Sequence, residues 1–260
     1  MIVLKSELQI EKIRKSCQLV AKYLQLVIDI VETENDMTTL ELDEIATLFA
    51  KDNGAIPAFK GYKNFPYSIC ACVNDEVIHG MPNNKPLQEG DILSVDYGIL
   101  LDGWYGDSAI TIPIGQVSED TTKLIKTGQE CLYHSIDEFY EGSRLNQISH
   151  AIQSHAESNG YQVVKNFVGH GIGRNLHEEP QVYNFTAKPK DGIRLHRGLV
   201  LAIEPMITAG SNILSQDDNK WTVRTKDGKL SVHWEHTVAL TGKGTEILTL
   251  RRDEERINER

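Results

Sequence analysis

One ten-residue pattern occurs twice in this chain. Leu87-x-x-Gly90-x-Ile92-Leu93-Ser94-Val95-Asp96 aligns without gaps to Leu195-x-x-Gly198-x-Val200-Leu201-Ala202-Ile203-Glu204. Each copy passes through a glycine into an aliphatic, β-branched run and ends in a carboxylate. Such a repeat predicts an α+β fold of two related halves packed about a pseudo-two-fold axis, with helices outside and antiparallel hairpins curving around a central site. No low-complexity linker separates the halves, which lie at about 1–115 and 116–260 within a single catalytic domain.

The pattern of elements around the repeat agrees. Ser6 and Gln9 form a capping box, and Ile10, Ile13, Cys17, Val20, Leu24 and Val27 then follow at helical spacing, predicting a helix near 6–32. Thr38 with Glu41 opens a second, shorter helix, and Gly54 stands where a left-handed cap ends it. Short β-branched stretches at 68–73, 76–79, 92–99 and 105–112, separated by Asn, Gly, Pro and Asp, read as antiparallel hairpins. Helical spacing returns at 119–140 and 145–158, ending at Asn159-Gly160, before strand-like runs at 199–207 and 231–240. The order of the first half is thus repeated.

Composition removes several classes. The 27 Lys+Arg against 37 Asp+Glu leave a net charge of -10, and nucleic-acid binders usually need a basic face, so no DNA partner is expected. No stretch approaches the roughly 18 apolar residues of a membrane span, and the opening MIVLKSELQIEKIRKS is not a secretory signal, so the expected location is the cytoplasm. Cys17, Cys70, Cys72 and Cys131 contain no CxxC pair and read as free thiols in a reducing compartment.

The chemistry lies in four acids set within apolar strands: Asp96 in SVDYG, Asp107 in YGDSAITI, Glu204 in LAIEPMI and Glu235 in VHWEHTVAL. Burying a carboxylate costs several kcal/mol unless something pairs with it. None of these segments contains Lys or Arg. Each acid alone could face solvent from the polar side of its strand; four together point to a bound cation. A structural calcium site would suit an all-oxygen set. His170, in the glycine-flanked segment VGHGIGR, adds the neutral donor that favours a transition metal, and its glycines are expected to let backbone approach a ligand closely. His79 in VIHGMP and His177 in NLHEEP are candidates for contact with substrate, or else hydrogen-bonded structural histidines.

These residues lie in segments similar to those of the type I methionine aminopeptidases of peptidase family M24, which have the pita-bread fold. The resemblance runs over nearly the whole chain through Gly61-Tyr62 to Ile69-Cys70, VNDEVIHGMP, EGDILSVDYG, GWYGDSAIT, GHGIGRNLHEEP, LAIEPM and SVHWEHTVAL, in the family's order. It implies two divalent metals per chain, Co, Mn, Fe or Zn being indistinguishable from sequence. Asp96 would hold one, His170 and Glu204 the other, and Asp107 and Glu235 would bridge both. It further implies Glu204 as the proton-shuttling carboxylate, His177 as donor to the scissile carbonyl and His79 at the following amide nitrogen. Tyr62, Phe65, Cys70 and Trp221 would line a methionine pocket, although as isolated residues the aromatics read as core. Glu204 follows His170 too closely for the helical insert of the type II enzymes. A monovalent cation near Asn74 and Ser231 is implied by the resemblance alone.

Two positions depart from the family pattern: Leu176 stands where an aromatic often precedes the second histidine, and Phe59 where a smaller residue is common. The expected reaction is removal of N-terminal methionine from nascent polypeptides when the second residue is small, by a monomer. A proline-directed peptidase of the same fold would reuse the five ligands, though such chains normally carry a further N-terminal domain. Creatinase-like relatives lack the ligands, and a non-catalytic relative would have no need of all five. Lys188, Lys190, Arg194 and Arg197 form a basic stretch that reads either as a ribosome contact or as a solvated loop.

Overall fold

The computed structural model describes residues 1–34, 36–252 and 254. Helix α1 (Glu7–Thr33) starts at the Ser6/Gln9 capping box and buries Ile10, Ile13, Cys17, Val20, Leu24 and Val27, the side chains that its periodicity marks. Helix α2 (Thr39–Asp52) starts at the Thr38/Glu41 box and ends at Asn53, with Gly54 in the left-handed region at φ 65°.

Strands β1 (Ile56–Pro57), β2 (Ile69–Val73), β3 (Glu76–Ile78), β4 (Ile92–Leu101) and β5 (Trp104–Pro113) follow. β4 is the spine: it pairs antiparallel with β1, β2 and β5. β3 is not the return arm of a β2 hairpin; it leaves that sheet to pair with a strand from far along the chain.

Helices α3 (Glu119–Asp137) and α4 (Leu145–Ser158) pack against each other as the second helical pair. After β6 (Gln162–Val163), β7 (Val168–Gly171) and β8 (Glu178–Tyr183), the predicted strand at 199–207 divides into β9 (Val200–Ile203) and β10 (Met206–Thr208). The break falls at Glu204–Pro205, because proline has no N–H to continue a ladder. After β11 (Leu214–Gln216) and β12 (Val223–Thr225), which is the partner of β3, the predicted strand at 231–240 likewise divides into β13 (Ser231–His233) and β14 (His236–Thr241), before β15 (Gly244–Ile247). β15-β14-β9-β7-β8 form one antiparallel sheet.

Both repeat copies build the same turn. Gly90 and Gly198 have φ of 97° and 91°, and their N–H groups donate to Ile114 O and Leu240 O, just beyond β5 and within β14, at 2.9 and 2.7 Å. One apolar cluster joins α1, α2, α3 and α4 to the sheets through Leu24, Leu42, Leu132, Ile148, Val95 and Leu201. Among the described residues no helix is long and apolar enough to cross a membrane, and the four cysteines are buried free thiols.

Candidate metal centre

Register brings the acids together. Asp96 stands opposite Ala109 in the β4/β5 ladder and Asp107 opposite Gly98, so the two carboxylates are diagonal neighbours on one face. Cys70 on β2 is directly opposite Asp96. In the second sheet His170 pairs with Ala202, two residues before Glu204. Glu235 is tied to Ala109 by an isolated bridge, which carries it over to the Asp96/Asp107 face. Glu204 and Glu235 are not inside strands as expected. Each lies in a break, one residue past β9 and one residue before β14.

Asp107, His170, Glu204 and Glu235 are buried and Asp96 is half-buried. His170 Nε2 lies 4.0 Å from Asp107 Oδ2 and 3.7 Å from Glu204 Oε1. Asp107, His170 and Glu235 offer ligand atoms that all lie within 4.8 Å of one another. His170 Nδ1 is 2.8 Å from Gly171 O, a contact that puts the proton on Nδ1 and leaves Nε2 as the free donor pair.

The charge of this cluster is uncompensated by protein. Asp96 Oδ1, Asp107 Oδ1 and Glu235 Oε1 are buried without a hydrogen-bond partner, and Lys63 is the only cationic side chain on the cavity wall among the described residues. Burial raises the carboxyls of Asp96, Glu204 and Glu235 well above the ordinary range, and the negative charge of Asp107 reinforces it in each case. Burial pushes Asp107 up to about 7, against hydrogen bonds from Asp96 and the Ser108 amide that hold it down. Burial also lowers His170 to about 4, so its imidazole is neutral and free to ligate at neutral pH. Orphaned carboxylate oxygens beside a neutral imidazole nitrogen fit divalent cations of the transition series.

The cluster forms the floor of a cavity of about 250 Å³. Its walls gather the other expected residues: His79, His177, Tyr62, Phe65, Cys70 and Trp221 all line it, as do Phe59 and Leu176. His177 Nδ1 is 3.0 Å from the Tyr62 hydroxyl and its ring stacks on Tyr62. His79 is held at φ 57° just beyond β3, a backbone strain that functional sites retain, with its ring edge-on to Phe167 and Trp221. Burial lowers His79 to about 4 and His177 to about 3, the latter helped by His170, Lys63 and His79. Phe65 meets Trp221 edge-to-face at 5.1 Å. Phe65 and Cys70 belong to an apolar cluster against which Tyr62 and Trp221 also pack; these side chains are core and cavity wall at once.

Phe59 fits because position 98 is glycine: a Cβ there would meet the Phe59 ring at 2.8 Å. The glycines around His170 serve a purpose other than approach to a ligand. A Cβ on Gly169 would strike Ala202 O and one on Gly171 would strike Glu179 O, so they let β7 fit between its neighbouring strands. His233 was not singled out in the sequence, where it reads as one more polar residue in an alternating strand. It is buried with Nε2 3.6 Å from Glu204 Oε2, and burial lowers it to about 3. Asn74 and Ser231 do meet, through a hydrogen bond from Ser231 N to Asn74 O of 2.9 Å. In the basic stretch, Lys188, Arg194 and Arg197 turn to Asp191, Gly142 O and Glu141, as side chains of a solvated loop do.

Antiparallel sheets wrapped around a carboxylate–histidine floor, with helices outside, define a pita-bread metallohydrolase. A crystal structure of methionine aminopeptidase from Rickettsia prowazekii superposes with a TM-score of 0.93 at 38% identity, covering 96% of this chain and all of that one. A methionine aminopeptidase of Clostridium acetobutylicum is 45% identical over 251 residues, which span 96% of this chain and 99% of that protein. The prolidase from Pyrococcus horikoshii shares the fold at a TM-score of 0.77, with 23% identity and 64% of its length covered. The model of Metallopeptidase family M24 matches residues 11–242. The chain belongs to metallopeptidase family M24 and, within it, to the methionine aminopeptidases.

Proposed function

We propose that this chain releases N-terminal methionine from nascent polypeptides in the cytoplasm when the second residue is small, acting as a monomer with one catalytic domain. The observation that carries this reading is the floor of carboxylates with orphaned buried oxygens beneath a cavity walled by Phe65, Cys70 and Trp221. A thioether is apolar and polarizable, and suits aromatic and sulfur surroundings.

Asp96, Asp107, His170, Glu204 and Glu235 would hold two divalent ions, with Asp107 and Glu235 common to both. When bound, such ions supply a water of near-neutral pKa and a Lewis acid for the scissile carbonyl. The protein's own groups do the rest. Glu204 accepts the proton of the attacking water as its oxygen bonds to the carbonyl carbon, and delivers it to the amine nitrogen as the C–N bond breaks. His177 is neutral; with Nδ1 accepting from Tyr62, Nε2 carries the proton that stabilises the carbonyl oxygen as it becomes an oxyanion. His79 contacts the amide nitrogen that becomes the leaving amine. A monovalent cation beside Asn74 and Ser231 belongs to the same reading.

The test is release of free methionine from Met-Ala-Ser by metal-stripped protein, with and without Mn or Co, alongside Asp107→Ala. Metal-dependent release that the substitution abolishes is the expected result. No release by metallated protein, with cleavage of an Xaa-Pro substrate instead, would reassign the chain to proline-directed peptidases. Equal rates on Met-Gly, Met-Ala and Met-Leu would sink the small-residue rule.

A further inference from the structure

The walls of a second cavity, of about 310 Å³, include His177, which also lines the methionine cavity. The two spaces therefore meet at His177. The second is lined by Met1, Val3, Trp104, Arg174 and Glu179 among others. Nothing in the reaction described above uses them.

Three observations give this groove a character. First, four of the ten large apolar side chains exposed among the described residues, Met1, Val3, Leu4 and Leu8, fall within residues 1–8. Second, the segment is fixed. Lys5 N donates to Gly198 O at 2.6 Å, and Lys5 Nζ, buried, donates to Glu178 Oε2 at 2.6 Å and to Val3 O at 2.9 Å. Third, among the described residues the N–H groups of Ile2, Val3 and Leu4 donate to nothing within the chain. Across the groove, Arg174 lies 4.2 Å over the Trp104 ring and uses one of its guanidinium donors on Gly103 O.

Resting on the aminopeptidase reading, we infer that this groove takes the substrate's own chain beyond the scissile bond, at about its fourth to sixth residues. An extended chain advances roughly 3.3–3.6 Å per residue, so a peptide leaving the metal centre past His177 enters the groove within a few residues. The unpaired N–H of Val3 and the guanidinium of Arg174, both residues of the cavity wall, suit the carbonyl oxygens of a passing backbone, as in strand addition to an exposed edge. The exposed Met1 and Val3 side chains suit apolar residues on that peptide. The bonds at Lys5 and Val3 O limit the ordering needed at Val3 on binding, which lowers the cost of association.

The experiment compares Met-Ala-Ser with Met-Ala-Ser-Val-Leu-Ala on metallated wild type, Val3→Asp and the milder Val3→Ser. The wild type is expected to show a lower KM for the longer peptide. Val3→Asp should raise that KM about fivefold and Val3→Ser less, the scale of one partly buried aliphatic side chain. Neither variant should alter kcat or the kinetics of Met-Ala-Ser, which also reports that it is folded. Release from both peptides with the same KM in the wild type, or parallel changes for both in the variants, overturns the groove alone. Release from neither overturns the aminopeptidase reading and the groove with it. A concentration-dependent dimer in sedimentation that Val3→Asp dissociates, with both peptides unaffected, overturns the proposal by assigning the surface to a second copy of the chain.

Discussion

β4 carries Asp96 in the middle of ten continuous strand residues, whereas β9, the second copy of the same pattern, stops after four and leaves Glu204 in a break before Pro205. The surroundings of the two copies otherwise match closely. α2 and α4 end alike: Gly54 and Gly160 donate to Lys51 O and Glu157 O, and the next residues, Ala55 and Tyr161, donate to Ala50 O and Ala156 O. A further difference falls opposite the repeat itself. Ser94 and Ala202 share a place in the repeat; opposite Ser94 stands Cys72, and opposite Ala202 stands His170. The first half therefore presents oxygen donors on the uninterrupted β4/β5 ladder, and the second adds imidazoles beside interrupted strands. Similar scaffolds can thus carry a site that is unlike on its two sides, and a mixed oxygen and imidazole donor set is of the kind that suits transition metals better than calcium.

The largest effect expected from breaking this comparison is at the ligands. Asp107→Ala and His170→Ala should each lower methionine release by about a thousandfold or more, since loss of even one preorganised stabilising donor removes 10²–10³. Cys72→Ala, at the place in the first half that corresponds to His170, should leave release within about threefold and lower stability by about 1 kcal/mol, as loss of a small buried group does. Methionine assays on the three variants would decide, and equal losses at Cys72 and His170 would erase the distinction between the halves.

Next comes packing. Gly169→Ala drives a Cβ into the Ala202 carbonyl, which cannot yield without moving β9, whereas Gly98→Ala meets only the Phe59 and Ala58 side chains. The first should cost about 1–3 kcal/mol and the second less, on the scale of overpacked cores. Urea midpoints compare them directly.

A pH series sharpens the electrostatic side. Asp107 is raised from 3.8 to about 7, so its contribution to the metal-free protein is fully present below about pH 4 and is lost as pH rises through 7. Asp96, Glu204 and Glu235 are raised in the same direction. The melting temperature of chelated protein should therefore fall by about 5 °C or more between pH 5 and pH 8, and added Mn or Co should remove that fall. A flat profile without metal would mean that the acids are compensated within the protein.

A much smaller effect than at the ligand positions is expected at Tyr62→Phe, which removes the hydroxyl 3.0 Å from His177 Nδ1. It should lower kcat a few-fold, the value of one partly exposed hydrogen bond, with little change in KM for Met-Ala-Ser.

Much of this was legible in the sequence because it is local or periodic. The capping boxes at Ser6 and Thr38 and the spacing of Ile10, Ile13 and Cys17 set α1 and α2 to within a residue or two. The acids of SVDYG and YGDSAITI were visible because charge in an aliphatic strand needs a reason. What stayed hidden depends on partners distant in the chain. Nothing near Glu76–Ile78 says that its partner is Val223–Thr225. Nothing near Gly169 says that a carbonyl of β9 presses on it, so its glycine was read as room for a ligand. His233 reads as ordinary alternation until Glu204 is folded against it.

One further feature has the widest reach. β5 and the segment from His233 to Thr237 are not joined by a regular ladder. Thr111 Oγ1 donates to His233 O at 2.8 Å, Ser108 Oγ to Glu235 O at 2.5 Å, and Thr237 Oγ1 to Asp107 O at 2.7 Å. Two of these hydroxyls end on the backbone of Glu235 and Asp107, and the third on that of His233. The spacing between the two sides of the centre is thus set by small alcohol side chains that do not line the cavity. Replacing Thr237 by isosteric Val would keep the packing and leave the Asp107 carbonyl unsatisfied, detuning the centre from behind while every residue facing the substrate stays in place.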